Sequence, residues 1–115
     1  MVVQIVEDEL LISMWVEDAL RDVGYTVLNV ETADQALVNF ESRDDIDILF
    51  TDVNMPGSMD GLELAATVRE RWPHVKIIVA SGRQTISAEA MPPESIFLPK
   101  PYLPSDIVGA VAAVA

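Results

Sequence analysis

The sequence predicts an α/β domain, a parallel sheet wound with helices on both faces. Three observations point to it. Short β-branched or apolar runs alternate with segments of helical periodicity along the chain. Those runs are close to continuously apolar, as in Val2 to Val6 and Ile46 to Phe50, which is the pattern of strands covered on both faces. The polar residues best able to carry chemistry come directly after the runs, and in open α/β sheets the ligand crevice lies beyond the carboxyl ends of the strands.

The elements follow in order. Val2 to Val6 reads as a buried strand. Glu9 to Val23 reads as a helix with Ile12, Trp15, Val16, Ala19, Leu20 and Val23 on one stripe and Gly24 as its stop. This stripe places Trp15 in the core or at its edge. Tyr25 to Val30 alternates as a second strand, and Thr32 can cap a helix from Ala33 to Ser42 that turns Ala36, Leu37 and Phe40 inward. Ile46 to Thr51 is a third, continuously apolar strand. Gly61 to Trp72 is a helix closed by Pro73, because proline cannot continue it. Val75 to Ala80 is a fourth strand and Ile96 to Leu98 a short fifth. Pro104 suits the first turn of a last helix that runs to the end of the sequence.

The totals narrow the function. A chain of 115 residues, half of them hydrophobic, is enough for one domain with its own core, so residues 1–115 are expected to form a single unit. The net charge of -12 gives a field that repels phosphate backbones, and direct nucleic-acid binding is not expected. The absence of cysteine excludes thiol catalysis, disulfides and zinc-thiolate sites. The opening residues lack a basic flank and turn acidic by Glu7, unlike a secretory signal. The longest apolar stretch, Ile107 to Ala115, is too short to span a bilayer. The expected setting is cytoplasmic and soluble, with no membrane association.

Glu7-Asp8, Asp52 and Lys100-Pro101 each follow a predicted strand. In a parallel sheet their convergence would put three carboxylates and one ammonium into one crevice. Two unit charges about 4 Å apart repel by about 4 kcal/mol at an effective dielectric near 20. A hard divalent cation with oxygen ligands relieves that, so the crevice predicts Mg²⁺ chemistry and phosphate. Asp8 and Asp52 can each give one oxygen, while the longer Glu7 can hold a metal-bound water. An aspartate beside Mg²⁺ and a lysine can act as a nucleophile toward phosphoryl groups. Ser81-Gly82, at the end of the fourth strand, offers a hydroxyl and close backbone approach to a phosphate oxygen.

Each piece alone has a plainer reading. Acidic pairs suit helix N-termini, and Asp52 could initiate the turn at Asn54-Met55-Pro56-Gly57. Lys100 could be one solvated lysine and Ser81-Gly82 an ordinary turn. Their order, at four of five predicted strand ends, favours the site. His74 has no partner motif, and Met55 and Met59 read as loop packing.

Taken as an ordered set, these segments resemble the receiver domains of two-component response regulators, over nearly the whole length. They are Ile5-Val6-Glu7-Asp8-Glu9, Thr51-Asp52-Val53-Asn54-Met55-Pro56, Met59-Asp60-Gly61, Val79-Ala80-Ser81-Gly82 and Leu98-Pro99-Lys100-Pro101-Tyr102. The resemblance implies a flavodoxin-like fold, five parallel strands in the order 2-1-3-4-5. It implies that Asp52 is the phosphoacceptor, charged from a histidine kinase or phosphotransfer protein to give an aspartyl phosphate. It implies Asp8, Asp52 and the backbone carbonyl of Asn54 as Mg²⁺ ligands, with Glu7 acting through water. Ser81 matches the switch hydroxyl, Lys100 its partner at the phosphoryl group, Phe97 the switch aromatic, and Pro101 a proline after a cis peptide bond.

This sequence departs from the family pattern in three places. Gly57-Ser58 makes the loop after Asp52 one residue longer than the commonest form. Phe97 stands where a tyrosine is frequent. Arg83 to Ser95, with Pro92-Pro93, has little apolar periodicity, so a fourth helix there is expected to be short or irregular.

The expected role is a phosphorelay switch, not an enzyme beyond dephosphorylating itself. It would signal through an output protein that the sequence does not name, unless the chain is a fragment of a longer regulator. Two other classes remain open at this point. One is an Mg²⁺-dependent phosphatase with an aspartate nucleophile. Such enzymes often carry an aspartate as general acid two residues on, where this chain has Asn54. The other is a pseudo-receiver that binds partners without phosphorylation, against which the complete acidic set speaks. From Ile107 the last helix carries no charged residue, and its outer face is expected to meet a partner helix or a second copy.

Overall fold

In the computed structural model, which describes residues 1–54, 57, 59–82 and 91–115, strands and helices alternate. They are β1 (Val2–Val6), α1 (Leu10–Asp22), β2 (Thr26–Val30), α2 (Ala33–Ser42), β3 (Ile46–Asp52), α3 (Gly61–Arg71), β4 (Lys76–Ser81), β5 (Ser95–Pro99) and α4 (Pro104–Val114). Among the described residues these make one five-stranded parallel sheet in the order β2-β1-β3-β4-β5. The chain steps from β1 to one side for β2 and to the other for β3, so the order reverses at β1/β3. The short or irregular helix expected between the fourth and fifth strands falls mainly on residues 83–90, outside the described residues.

The two faces of the sheet carry separate cores. Val3, Ile5, Ile48, Phe50, Ile78 and Ala80 pack beneath α1 and α4 with Val16, Leu20, Ile107 and Val111. Val6, Leu49, Ile77 and Val79 pack beneath α2 and α3 with Ala36, Phe40, Leu64, Ala65 and Val68. Ile46 and Ile48 lie on opposite faces although they are two apart. The β1/β3 register shifts between Val2/Ile46 and Val3/Ile48, and Asp47 is passed over to accept the Val2 N–H at 2.9 Å. Gln4 is fully buried in β1, yet its amide is satisfied by the Ala36 carbonyl and the Asn39 side chain.

Several boundaries differ from the sequence expectation by a residue or two. Glu9 and Val23 are caps of α1 rather than members, and Tyr25 precedes β2 because its N–H closes back on the Leu20 carbonyl at 3.1 Å. Trp72 is the C-cap of α3, and Val75 N–H turns back to Trp72 before β4 begins. β3 runs one residue further, through Asp52, which pairs with Ala80. The buried stripe of α1 is Ser13, Val16 and Leu20. Val23 is 52% and Trp15 40% exposed, a correction to the predicted stripe. α2 and α3 each begin with a reciprocal capping box, Thr32 with Gln35 and Asp60 with Glu63. α4 starts with Pro104 at its first turn and the Asp106 carboxylate accepting the Leu103 N–H at 2.8 Å. Among the described residues no helix is long and apolar enough to cross a membrane.

Candidate functional site

The sheet register brings the predicted residues together. Val6 pairs with Thr51, Asp52 with Ala80, and Ser81 with Pro99, so β1, β3, β4 and β5 end at one level. The backbone continues the ladder one step further. Glu7 N–H donates to Val30, Val53 N–H to Ala80, and Lys100 N–H to Ser81, at 3.1, 3.0 and 2.9 Å. Glu7, Asp52, Ser81 and Lys100 therefore start from backbone held as firmly as the strands themselves.

Carboxylate oxygens of Glu7, Asp8 and Asp52 lie within 4.8 Å of one another. Asp52 and Glu7 are buried and Asp8 is exposed at the rim. Lys100 Nζ donates to Asp52 Oδ2 at 3.0 Å and stands 3.6 Å from Glu7 Oε2. Glu7 Oε1 accepts the Glu9 N–H at 3.2 Å, but Oε2 is buried with no hydrogen bond among the described residues.

The electrostatics follow from this crowding. Burial, reinforced by the charge of Asp52, pushes the Glu7 carboxyl up to about 7 against the counter-effect of Lys100. Burial alone would lower the Lys100 ammonium, but its hydrogen bond to Asp52 and the charges of Asp52 and Glu7 outweigh it and hold it raised. One ammonium does not balance three clustered carboxylates. The site has room, in charge and in oxygen donors, for a hard cation.

The other predicted residues take definite places. Ser81 is fully buried at the end of β4, and the Lys100–Pro101 peptide is cis. Phe97 is half-buried in β5, paired with Val79. Asn54 is exposed on the loop leaving β3, whereas Met55, Pro56 and Ser58 lie outside the described residues. Met59 packs at the edge of the core beneath α3, and His74 is exposed away from the site.

Two residues at the site were not singled out from the sequence. Tyr102 is buried, stacks on Trp15 with centroids 6.1 Å apart, and meets Phe50 edge-on at 5.9 Å. Burial, together with the nearby Glu7 and Asp52 carboxylates, pushes its phenol up, so it stays protonated. It lines an open, mostly apolar cavity of about 590 Å³ with Ile12, Trp15, Gly82, Lys100 and Pro101. Thr51 is buried directly before Asp52 and its hydroxyl donates to the Asp52 carbonyl at 2.9 Å. A polar residue at the last position of an apolar strand was the available signal for Thr51; Tyr102 had only its place after Lys100-Pro101.

Comparison with known proteins adds to this geometry. The family model described as response regulator receiver domain matches residues 3–112. The chain is 32% identical over 116 residues to the DNA-binding transcriptional regulator NtrC of Salmonella typhimurium, covering 98% of this chain and 24% of that protein. It is 36% identical over 104 residues to the sensor kinase CckA of Brucella abortus, covering 87% of this chain and 11% of that one. Among solved structures, a response regulator receiver protein from Sinorhizobium medicae superposes with a TM-score of 0.92 at 28% identity, covering 99% of this chain and 93% of the other. The chain spans about a quarter or less of these two sequence relatives and nearly the whole of the solved receiver protein. The chain belongs to the response regulator receiver domain family of two-component systems.

Proposed function

We propose that this receiver domain, taken as one unit over residues 1–115, is a phosphorylation switch. Asp52 accepts a phosphoryl group from a histidine kinase or phosphotransfer protein, and the change is read by a protein partner. The observation that carries this reading is the buried Asp52 carboxylate, held by Lys100 at 3.0 Å with two further carboxylates within 4.8 Å. A structural ion pair needs one carboxyl group for one cation, and here three carboxyl groups cluster around one.

The donor set fits Mg²⁺. It is all oxygen, its carboxyl groups outnumber the one ammonium, and among the described residues the buried Glu7 Oε2 has no hydrogen-bond donor. Asp8, Asp52 and the Asn54 carbonyl would hold the ion, with Glu7 acting through water. When bound, Mg²⁺ supplies charge neutralisation at the transferring phosphoryl oxygens.

The chain's own residues do the rest. A carboxylate oxygen of Asp52 attacks phosphorus in line as the P–N bond to the donor histidine breaks, leaving the electron pair on the imidazole nitrogen. Lys100, already at Asp52, pairs with the charge on the phosphoryl group. The Ser81 hydroxyl donates to a phosphoryl oxygen, a contact that exists only in the phosphorylated state, and Phe97 follows by changing its packing on β5. A two-state switch needs such a differential contact.

Incubation with acetyl phosphate and Mg²⁺, followed by intact mass, tests the reading. One stable phosphoryl addition supports it. Steady phosphate release without a lasting adduct points to a phosphatase, and an unchanged protein to a binding module without phosphorylation.

A further inference from the structure

The start of α3 lies closer to the Asp52 backbone than any side chain could tolerate. A Cβ built on Gly61 would overlap the Asp52 carbonyl oxygen and lie 2.7 Å from the Asp52 carbonyl carbon and 2.9 Å from Val53 Cα. All three obstacles are backbone, so nothing can rotate aside. The requirement is one of space, not of conformation, because Gly61 does not have a positive φ. Gly82 and Gly109, by contrast, face open space.

The backbone of Asp52 and Val53 is also held by hydrogen bonds on two successive carbonyls. Gly61 N–H donates to the Val53 carbonyl at 2.9 Å, and the Thr51 hydroxyl donates to the Asp52 carbonyl at 2.9 Å. The helix start cannot drift. Glu63 N–H donates to Asp60 Oδ1 at 2.9 Å, Asp60 N–H returns to Glu63 Oε1 at 3.3 Å, and Leu64, Ala65 and Val68 are fully buried behind it.

We infer that Gly61 is a positioning residue for the phosphoacceptor: its bare Cα, with the Thr51 hydroxyl, seats the Asp52 peptide and so aims the carboxylate between Asp8 and Lys100. The seat rests on Asp52 being the reacting group, as proposed above. A side chain at position 61 must push the end of β3 and α3 apart. That moves a carboxylate whose task depends on sub-ångström placement.

The test measures Mg²⁺ affinity by calorimetry, acetyl phosphate reactivity by intact mass, and the ¹⁹F signals of beryllofluoride added with Mg²⁺. Gly61→Ala should keep a folded circular dichroism spectrum while losing about 10-fold or more in Mg²⁺ affinity and shifting the ¹⁹F signals. Gly109→Ala should change none of these. A second pair covers the case in which Gly61→Ala does not fold. Asp60→Ala removes the cap and should weaken Mg²⁺ binding, whereas Asp60→Asn, which keeps a capping oxygen but not the charge, should restore it.

A folded Gly61→Ala with wild-type Mg²⁺ affinity and ¹⁹F signals overturns the inference. So does an Asp60 pair in which both variants match wild type, or in which both lose affinity equally, since the latter reports charge alone. If wild type itself binds neither Mg²⁺ nor beryllofluoride, the assignment of Asp52 fails instead, and the two failures are told apart.

Discussion

Replacing Glu7 by glutamine, with metal removed by EDTA, should abolish a pH dependence of stability that wild type carries. The Glu7 carboxyl moves from 4.5 to about 7 on folding, chiefly through burial and then the Asp52 charge. The folded state thus holds this proton more tightly than the unfolded chain. Between those two values it binds more protons than the unfolded chain, so stability falls as pH rises through the window and levels off above it. The whole shift amounts to about 3 kcal/mol, and roughly 2 kcal/mol of it falls between about pH 5.5 and pH 8. With a denaturant slope near 1.5 kcal/mol per M, the urea midpoint of wild type should drop by a little over 1 M across that interval. Glu7→Gln keeps an acceptor for the Glu9 N–H but has no charge to desolvate, and its midpoint should lack this component. The comparison of the two slopes cancels the titrating groups that do not interact with Glu7. Millimolar Mg²⁺ at pH 8 should recover most of the loss in wild type, because the cation takes the place of the missing proton. Equal slopes in the two proteins, or a wild type more stable at pH 8 than at pH 5.5 without metal, would refute the reasoning.

Two further outcomes are expected. Ser81→Ala should still gain a phosphoryl group but lose the accompanying spectral shift, and identical shifts in both proteins would remove Ser81 from the switch. On α4, where Ile107 and Val111 are buried and Gly109, Ala112 and Ala113 are exposed, Ala112→Glu and Ala113→Lys should weaken self-association or partner binding without unfolding. Wild-type sedimentation and binding by both variants, phosphorylated and not, would exclude that face.

The parts of this fold legible in the sequence were those set by local chemistry. Runs such as Ile46 to Phe50, short and rich in β-branched residues, read as strands, and Thr32 ahead of Ala33 marks a helix start that the structure closes with Gln35. The strand-end rule then brings Glu7, Asp52 and Lys100 to one crevice. Features that depend on how surfaces meet were not legible. Ser13 is buried where periodicity expected Trp15 and Val23. Helix phase cannot see that Asn29 from β2 donates to the Ser13 carbonyl at 3.3 Å, or that Val23 is already the cap of α1. Tyr102 was invisible for the same reason. Its burial comes from the turn after Pro101 folding its ring against Trp15 and Phe50, a contact across three elements. Gly61 reads in the sequence as the first residue of a helix, and only the distance from α3 to the Asp52 backbone shows why a side chain is excluded there.

Phosphorylation of Asp52 can be tested at the carboxyl group itself. Borohydride reduces an acyl phosphate, so treating the acetyl phosphate-reacted protein with it and mapping the peptides by mass spectrometry locates the modified carboxyl directly. Reduction is expected at Asp52 alone, dependent on Mg²⁺, with Asp52→Asn showing neither the phosphoryl mass nor a reduced residue. Reduction at any other carboxylate in wild type, or an acid-labile phosphoryl group on Asp52→Asn, would contradict it.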